Sequence, residues 1–272
     1  MTTQAKPAFF TTDGDHFVPT SMTKGPWGST ISGNFVGGVV AHVVELAVDD
    51  HQLVPGRLTV DLLRPAAMAP LCGRTRILRS GRRLTLVEAE LLQQDTVVAR
   101  ATALFLRKGD QPPGQVWSSP ATMPPLPPEA ALSATDAPML VWAYGKNSDV
   151  AGAPFDLTQW QHDGPKFVWV RDLAPLIVGV PITPFVRASM AGDVASSLTH
   201  YGTTGLNYIN ADYTLALSRL PEGSDIGLAA VSFTGHDGIA TGTAALFDAR
   251  GRIGTATATT LANPGFAPGT LS

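Results

Sequence analysis

The chain contains little cysteine and few charged residues. Among its 272 residues there is one cysteine, Cys72, and 15% of the residues are charged. A single cysteine forms no disulfide within the chain, so we expect a reducing compartment and a cytoplasmic protein. The 19 basic and 22 acidic residues leave a net charge of −3, without the basic excess that attracts nucleic acid or anionic membranes. The first residues lack the apolar core of a signal peptide, and no apolar run approaches the roughly 18 residues that span a bilayer. We therefore expect neither a nucleic-acid partner nor a membrane partner.

Several catalytic motifs are also missing. The absence of Gly-x-Ser-x-Gly argues against an α/β-hydrolase with a serine nucleophile. A P-loop and a Gly-x-Gly-x-x-Gly turn are absent, so nucleotide-dependent chemistry has no support. The cysteine and the histidines show no clustered spacing that is typical of metal ligands. We expect no cofactor and no metal.

What the sequence does contain is an internal repeat. Residues 37–44, an apolar run that begins with two glycines, correspond to residues 192–198 after a shift of 155 positions. The β-rich segment 97–103 corresponds to 252–258 after the same shift. A constant shift this long predicts two copies of one domain and not a solenoid of short repeats.

Each copy has the pattern of one long helix followed by consecutive strands. We predict a helix over 38–52, which is apolar on most faces, and its counterpart around 187–200. Alternating apolar and polar residues predict strands at 58–63, 72–78, 84–93 and 97–106, and at 208–217, 227–233, 239–247 and 253–261. This is an α+β class, with two antiparallel sheets that each wrap around a long central helix and pack side by side.

A proline-rich segment separates the two copies. Prolines crowd residues 111–164, which lack alternating strands and predict an extended connector. We therefore expect an N-terminal domain over 1–110, a connector over 111–164 and a C-terminal domain over 165–272.

Four short motifs, in this order, resemble the type II (TesB-like) acyl-CoA thioesterases, which have a double hotdog fold. They are Asn34-Phe35-Val36-Gly37-Gly38, Asp61-Leu62-Leu63-Arg64-Pro65, Arg79-Ser80-Gly81-Arg82 and Asn210-Ala211-Asp212-Tyr213-Thr214-Leu215. The resemblance implies hydrolysis of fatty acyl-CoA to a fatty acid and coenzyme A. Hotdog hydratases instead carry Gly-Asp-x-Asn-Pro-x-His, and the string Gly192-Asp193-Val194-Ala195 lacks that Asn and His.

The resemblance also implies catalytic residues. In the family an Asp, a Ser or Thr and a Gln hold the attacking water. Alignment to the family by residue spacing assigns these roles to Asp212, Thr234 and Thr259. Threonine in place of glutamine is a departure, because its hydroxyl has a shorter reach. Backbone N–H groups at a helix start bind the thioester oxygen in this family, which makes Gly37 and Gly38 the expected substrate-binding residues.

Each of these residues also has a plainer interpretation. The glycines would equally permit close packing of the helix, and Asp212 would serve as a turn or capping residue. Thr234 could bond local backbone, and Thr259 could be one β-branched residue of a strand. Arg82 lies in a local basic excess that would receive the phosphates of coenzyme A, although such charges are more often only solvated.

The plainer interpretations leave a second function open. A non-catalytic acyl-CoA or lipid-binding protein would keep the fold without the water-holding residues. Exposed sheet edges would favour a homo-oligomer in either case.

Overall fold

The computed structural model describes residues 7–118, 120–127, 138–147 and 156–264. The first half contains a hairpin, a 3₁₀ turn at Ser21–Thr23, a long helix and four strands. Their bounds are β1 Phe10–Asp13, β2 His16–Pro19, α1 Gly33–Leu46, β3 Leu53–Leu62, β4 Leu71–Ser80, β5 Leu84–Gln93 and β6 Thr96–Arg107.

The second half also has two strands, a long helix and further strands, but its 3₁₀ turn at Leu157–Trp160 lies between the first two strands, and extra short strands follow the helix. Its bounds are β7 Met139–Tyr144, β8 Phe167–Asp172, α2 Pro184–His200, β9 Tyr201–Gly202, β10 Gly205–Leu206, β11 Tyr208–Asn210, β12 Asp212–Leu217, β13 Asp225–His236, β14 Ile239–Asp248 and β15 Gly251–Ala262. Strand β7 lies inside the segment predicted as a strandless connector, and it pairs with β8. That part of the prediction is wrong, and the domain boundaries themselves stay a prediction.

The sheet has the same strand order when it is followed outward from its centre in either direction. From the centre, one half runs β3-β6-β5-β4-β2-β1 and the other runs β12-β15-β14-β13-β8-β7, with β11 beside β15. Strands β5 and β6 match β14 and β15 in first and last residue after the shift of 155. The structure therefore contains the repeat that the sequence predicts.

The two halves are joined by backbone pairing between β3 and β12. Thr59 lies opposite Thr214 in this pairing, and their hydroxyl oxygens are 3.0 Å apart. These two residues are 155 positions apart, so the approximate twofold relation between the halves passes between them. One continuous antiparallel sheet results, where the sequence predicted two separate sheets packed side by side.

The two helices lie against the inner face of this sheet and against each other. Helix α1 is apolar on nearly every face, as expected of a helix that is covered on nearly every face. Val39, Val40 and Val44 are fully buried. The helices cross in antiparallel directions, with Gly33 against Asp193 and Gly37 against Ser189. This crossing determines which side chains of one half meet the helix start of the other. No helix among the described residues is both long and apolar enough to span a membrane.

Candidate active site

The start of α1 carries backbone donors that the helix itself does not use. Gly33 is the first helical residue, and the side chain of Ser32 before it makes no capping hydrogen bond. The N–H groups of Phe35 and Val36 both donate to the Ser32 carbonyl oxygen, at 3.0 and 3.2 Å. Within the described part of the chain, the N–H groups of Gly33 and Asn34 have no acceptor. Two open donors at the positive end of a helix dipole form a site for an anion or a polarised carbonyl.

A carboxylate from the other half of the molecule faces this helix start. Asp193 lies in the middle of α2, where the antiparallel crossing brings it against Gly33. A Cβ atom at position 33 would lie 2.9 Å from both carboxylate oxygens of Asp193. Only glycine at position 33 therefore lets the carboxylate come this close without displacement.

The surroundings of Asp193 give its carboxyl group an unusual proton affinity. Asn210, the last residue of β11, donates its side-chain N–H to Asp193 Oδ1 at 2.9 Å. Burial raises the pKa of Asp193 to about 6 from an ordinary 3.8, against a smaller lowering by the Asn210 hydrogen bond. The group is thus mostly ionised at neutral pH and still basic enough to accept a proton, which is what a general base requires.

A chain of buried hydroxyl groups holds the two helices at this crossing. Ser189 of α2 donates its hydroxyl to the Gly37 carbonyl oxygen of α1 at 2.8 Å. The Tyr213 hydroxyl lies 2.8 Å from Ser189 Oγ, so Tyr213 is the donor in that bond. Burial, and then the charge of Asp193, raise the pKa of Tyr213, which keeps its proton in place. The spacing between Gly33 and Asp193 is maintained by this chain.

The predicted oxyanion residues Gly37 and Gly38 do not lie at the helix start. Helix α1 begins at Gly33, so the N–H groups of both glycines fall where a helix bonds its own carbonyls four residues back. A Cβ at Gly37 would lie 2.0 Å from the Tyr213 hydroxyl oxygen, and one at Gly38 would lie 2.8 Å from Met190. Their positions match the alternative interpretation, in which the glycines permit close packing. The open donors belong instead to Gly33 and Asn34.

Asp212 lies beside the candidate site, but its carboxylate points away from it. The next residue, Tyr213, faces inward to the helices, and alternation along β12 places the Asp212 side chain on the outer face. Its Oδ1 accepts the backbone N–H of Thr259 at 2.7 Å, beside the break between β11 and β12. The Thr259 side chain is exposed on the same outer face. This arrangement is that of a capping aspartate.

The structure does not bring Thr234 to Asp212. Thr234 is exposed and pairs with Thr241, which in turn pairs with Thr259. Three strand spacings, about 14 Å in all, therefore separate Thr234 from Asp212.

Arg82 is exposed in the turn between β4 and β5, and its carbonyl oxygen accepts a hydrogen bond from Arg107. Arg107 also pairs with Asp50, just beyond the end of α1. Arg82 is thus at the opposite end of α1 from Gly33. Its contact with coenzyme A phosphates stays a prediction.

The sequence prediction missed Asp193, although a signal for it exists. Asp193 is the only charged residue in the run 188–199, which is otherwise small or apolar and forms a buried helix. A single carboxylate in such a helix is costly to bury and is therefore a candidate for chemistry. Its partners cannot be recognised along the chain, because Gly33 lies 160 positions earlier.

Comparisons with known proteins agree with this architecture. Residues 23–106 match the family model described as the acyl-CoA thioesterase N-terminal domain. This segment of the chain is therefore similar to the N-terminal domain of acyl-CoA thioesterases. The match agrees with the TesB-like resemblance inferred from the motifs. No curated protein matches the chain.

Solved structures share the fold at low sequence identity. The tesB protein of Mycobacterium avium subspecies paratuberculosis is 15% identical, with a TM-score of 0.64 over 92% of this chain and 93% of that one. The acyl-CoA thioesterase II of Mycobacterium marinum is 16% identical, with a TM-score of 0.60 over 92% and 94%. A protein of unknown function with a hot dog fold from Alicyclobacillus acidocaldarius is 18% identical, with a TM-score of 0.66 over 93% and 95%. The hotdog fold is therefore confirmed.

Proposed function

We propose that the protein hydrolyses fatty acyl-CoA to the free fatty acid and coenzyme A at the start of α1, with Asp193 as the general base. The observation that supports this most directly is the pairing of a carboxylate whose pKa is near 6 with an uncapped helix start. Thioester hydrolysis needs these two elements, a base for water and a donor pair for the carbonyl oxygen.

The proposed reaction has two steps. The thioester carbonyl oxygen accepts hydrogen bonds from the N–H groups of Gly33 and Asn34, while Asp193 takes a proton from water as the water oxygen bonds to the carbonyl carbon. The resulting oxyanion is stabilised by the same two N–H groups and by the helix dipole. When the carbon–sulfur bond breaks, Asp193 returns its proton to the leaving thiolate. Asn210 keeps the carboxylate oriented toward the helix start throughout.

A panel of acyl-CoAs with graded chain length tests this function. The purified chain is expected to release free thiol from at least one member of the panel. The Asp193→Asn variant is expected to bind the same member with a similar dissociation constant, measured by calorimetry, and to release little thiol. Asparagine keeps the size of the side chain and can still accept from Asn210, so binding and catalysis are separated.

Two results would contradict the proposal. Binding of acyl-CoA by the unaltered chain without thiol release favours the non-catalytic acyl-CoA carrier. Thiol release that is equal in the unaltered chain and in Asp193→Asn removes Asp193 from the reaction.

A further inference from the structure

Three potential metal ligands meet at one edge of the sheet, away from the candidate active site. Asp15, His16 and Cys72 each offer one ligand atom, and these atoms lie within 4.8 Å of one another. An Asp15 oxygen is 2.8 Å from His16 Nδ1, and the other is 3.8 Å from Cys72 Sγ. Neither the fold nor the proposed hydrolysis uses this cluster.

The backbone holds the three residues together. Asp13 pairs with His16, so Gly14 and Asp15 form the two-residue turn of the β1–β2 hairpin, with Gly14 at a φ of +59°. His16 lies directly opposite Cys72 in the β2–β4 pairing. Opposite residues on neighbouring strands project to the same face, with Cβ atoms about 5 Å apart. Two ligands thus come from one cross-strand pair and the third from the adjoining turn.

The donor set matches zinc in kind and nearly in distance. Thiolate sulfur, imidazole nitrogen and carboxylate oxygen are the ligands that Zn²⁺ takes, and tetrahedral bonds of 2.0–2.3 Å place ligand atoms about 3.3–3.8 Å apart. Small side-chain rotations would bring the cluster to this spacing, and the side chains of His16 and Asp15 have room for them because they are 50% and 79% exposed.

The cluster opens onto a cavity of about 310 Å³, which leaves room for a fourth ligand. Arg74 and Asp95 also line this cavity, together with His16 and Cys72. Arg74 faces Asp95 at 3.9 Å, which balances its charge. Burial and then the nearby Asp15 raise the pKa of the Cys72 thiol, so a bound divalent cation would displace the thiol proton, as metals do from coordinating thiols.

We propose that Asp15, His16 and Cys72 form a binding site for Zn²⁺, with a fourth position open to solvent. Sequence spacing does not predict this site, because Cys72 is 56 positions from His16 and only the β2–β4 pairing brings the two together.

Cobalt, the spectroscopic substitute for zinc, tests the site on the full chain. Titration with Co²⁺ alone is expected to give a sulfur-to-cobalt charge-transfer band that saturates at one ion per chain and disappears when Zn²⁺ is added. The Cys72→Ser variant should lose the band. His16→Gln and Asp15→Asn should keep the fold, checked by circular dichroism, and bind cobalt at least tenfold more weakly.

A matched control exists in the other half of the molecule. His236 and Asp237 are an exposed neighbouring pair 3.3 Å apart, without a cysteine, so His236→Gln should leave cobalt binding unchanged. The proposal is overturned if no charge-transfer band forms at stoichiometric cobalt. It is also overturned if Cys72→Ser keeps the band, or if His16→Gln and Asp15→Asn bind cobalt as tightly as the unaltered chain.

Discussion

The two helix starts of this molecule are related by the repeat but are chemically different. At α1, Ser32 makes no cap and two N–H groups are open toward Asp193. At α2, the Thr183 hydroxyl oxygen accepts the Val186 N–H, and Pro184 at the first helical position has no N–H to offer.

The repeat also does not duplicate the carboxylate that faces α1. The position that corresponds to Asp193 after the shift of 155 is Gly38, which packs against Met190 and Leu176. Duplication therefore preserved the fold in both halves, and we propose that only one half-site has kept the groups for chemistry.

Exchanging the two equivalent residues, Gly38 and Asp193, is expected to have the largest effect on turnover. The double variant Gly38→Asp with Asp193→Gly moves the carboxylate to the equivalent position of α1, which packs against Met190 and Leu176. We expect turnover to fall by about 10²-fold or more, because the transferred carboxylate faces no open donors. Steady-state thiol release measures this. Recovery of turnover in the double variant, above the level of Asp193→Gly alone, would mean that the carboxylate can act from either of the two equivalent positions.

The next largest expected effect is on stability, where substitutions at two equivalent glycines should differ. Gly37 and Gly192 both contact Tyr213, but a Cβ would lie 2.0 Å from the tyrosine at Gly37 and 3.3 Å from it at Gly192. Gly37→Ala should lower the free energy of unfolding by about 2–4 kcal/mol, through overpacking and loss of the buried Ser189–Tyr213 bond. Gly192→Ala should stay within about 1 kcal/mol, since a better helix propensity offsets a mild contact. Denaturant unfolding of both variants checks this, and equal losses would contradict the packing described for α1.

A smaller effect is expected on the pH dependence of stability, which reports the ionisation of Asp193. Its pKa is about 6 in the folded chain against an ordinary 3.8, so its contribution to stability is fully present below pH 4 and is lost as the pH rises through 6. Asparagine does not ionise. Asp193→Asn should therefore be more stable relative to the unaltered chain at pH 8 than at pH 4. The difference in free energy of unfolding, variant minus unaltered chain, should be larger at pH 8 by up to about 3 kcal/mol.

Denaturant unfolding at the two pH values measures this difference, and the pH 4 comparison serves as the internal control. A variant that is less stable at pH 8 would instead make Asp193 a stabilising cap of α1.

Much of the fold follows from local sequence signals. The bounds 84–93 predicted for β5 agree with the structure, because tight turns at Gly81 and at Gln94-Asp95 interrupt a clear alternation. The start of α1 is predicted five residues late, since two adjacent glycines resemble a helix boundary. They are helical here because a close contact with the other helix and Tyr213 requires residues without a side chain.

The candidate site is harder to predict than the fold. It depends on the antiparallel crossing of two helices from different halves, and no periodicity along the chain encodes which residues meet there. Asp212 follows a recognisable motif, yet the side-chain alternation of β12 turns its carboxylate outward. The resemblance therefore points to Asp212, whereas the geometry of the helix crossing leads us to propose Asp193.

The most direct test of the account compares the turnover of Asp193→Asn and Asp212→Asn under the same conditions. Both variants replace a carboxylate by an amide of the same size, and the residues lie within one small region of the molecule. We predict that kcat falls by about 10²-fold or more in Asp193→Asn and stays within a few-fold of the unaltered chain in Asp212→Asn. The reverse pattern, with Asp212→Asn inactive and Asp193→Asn active, would contradict the account.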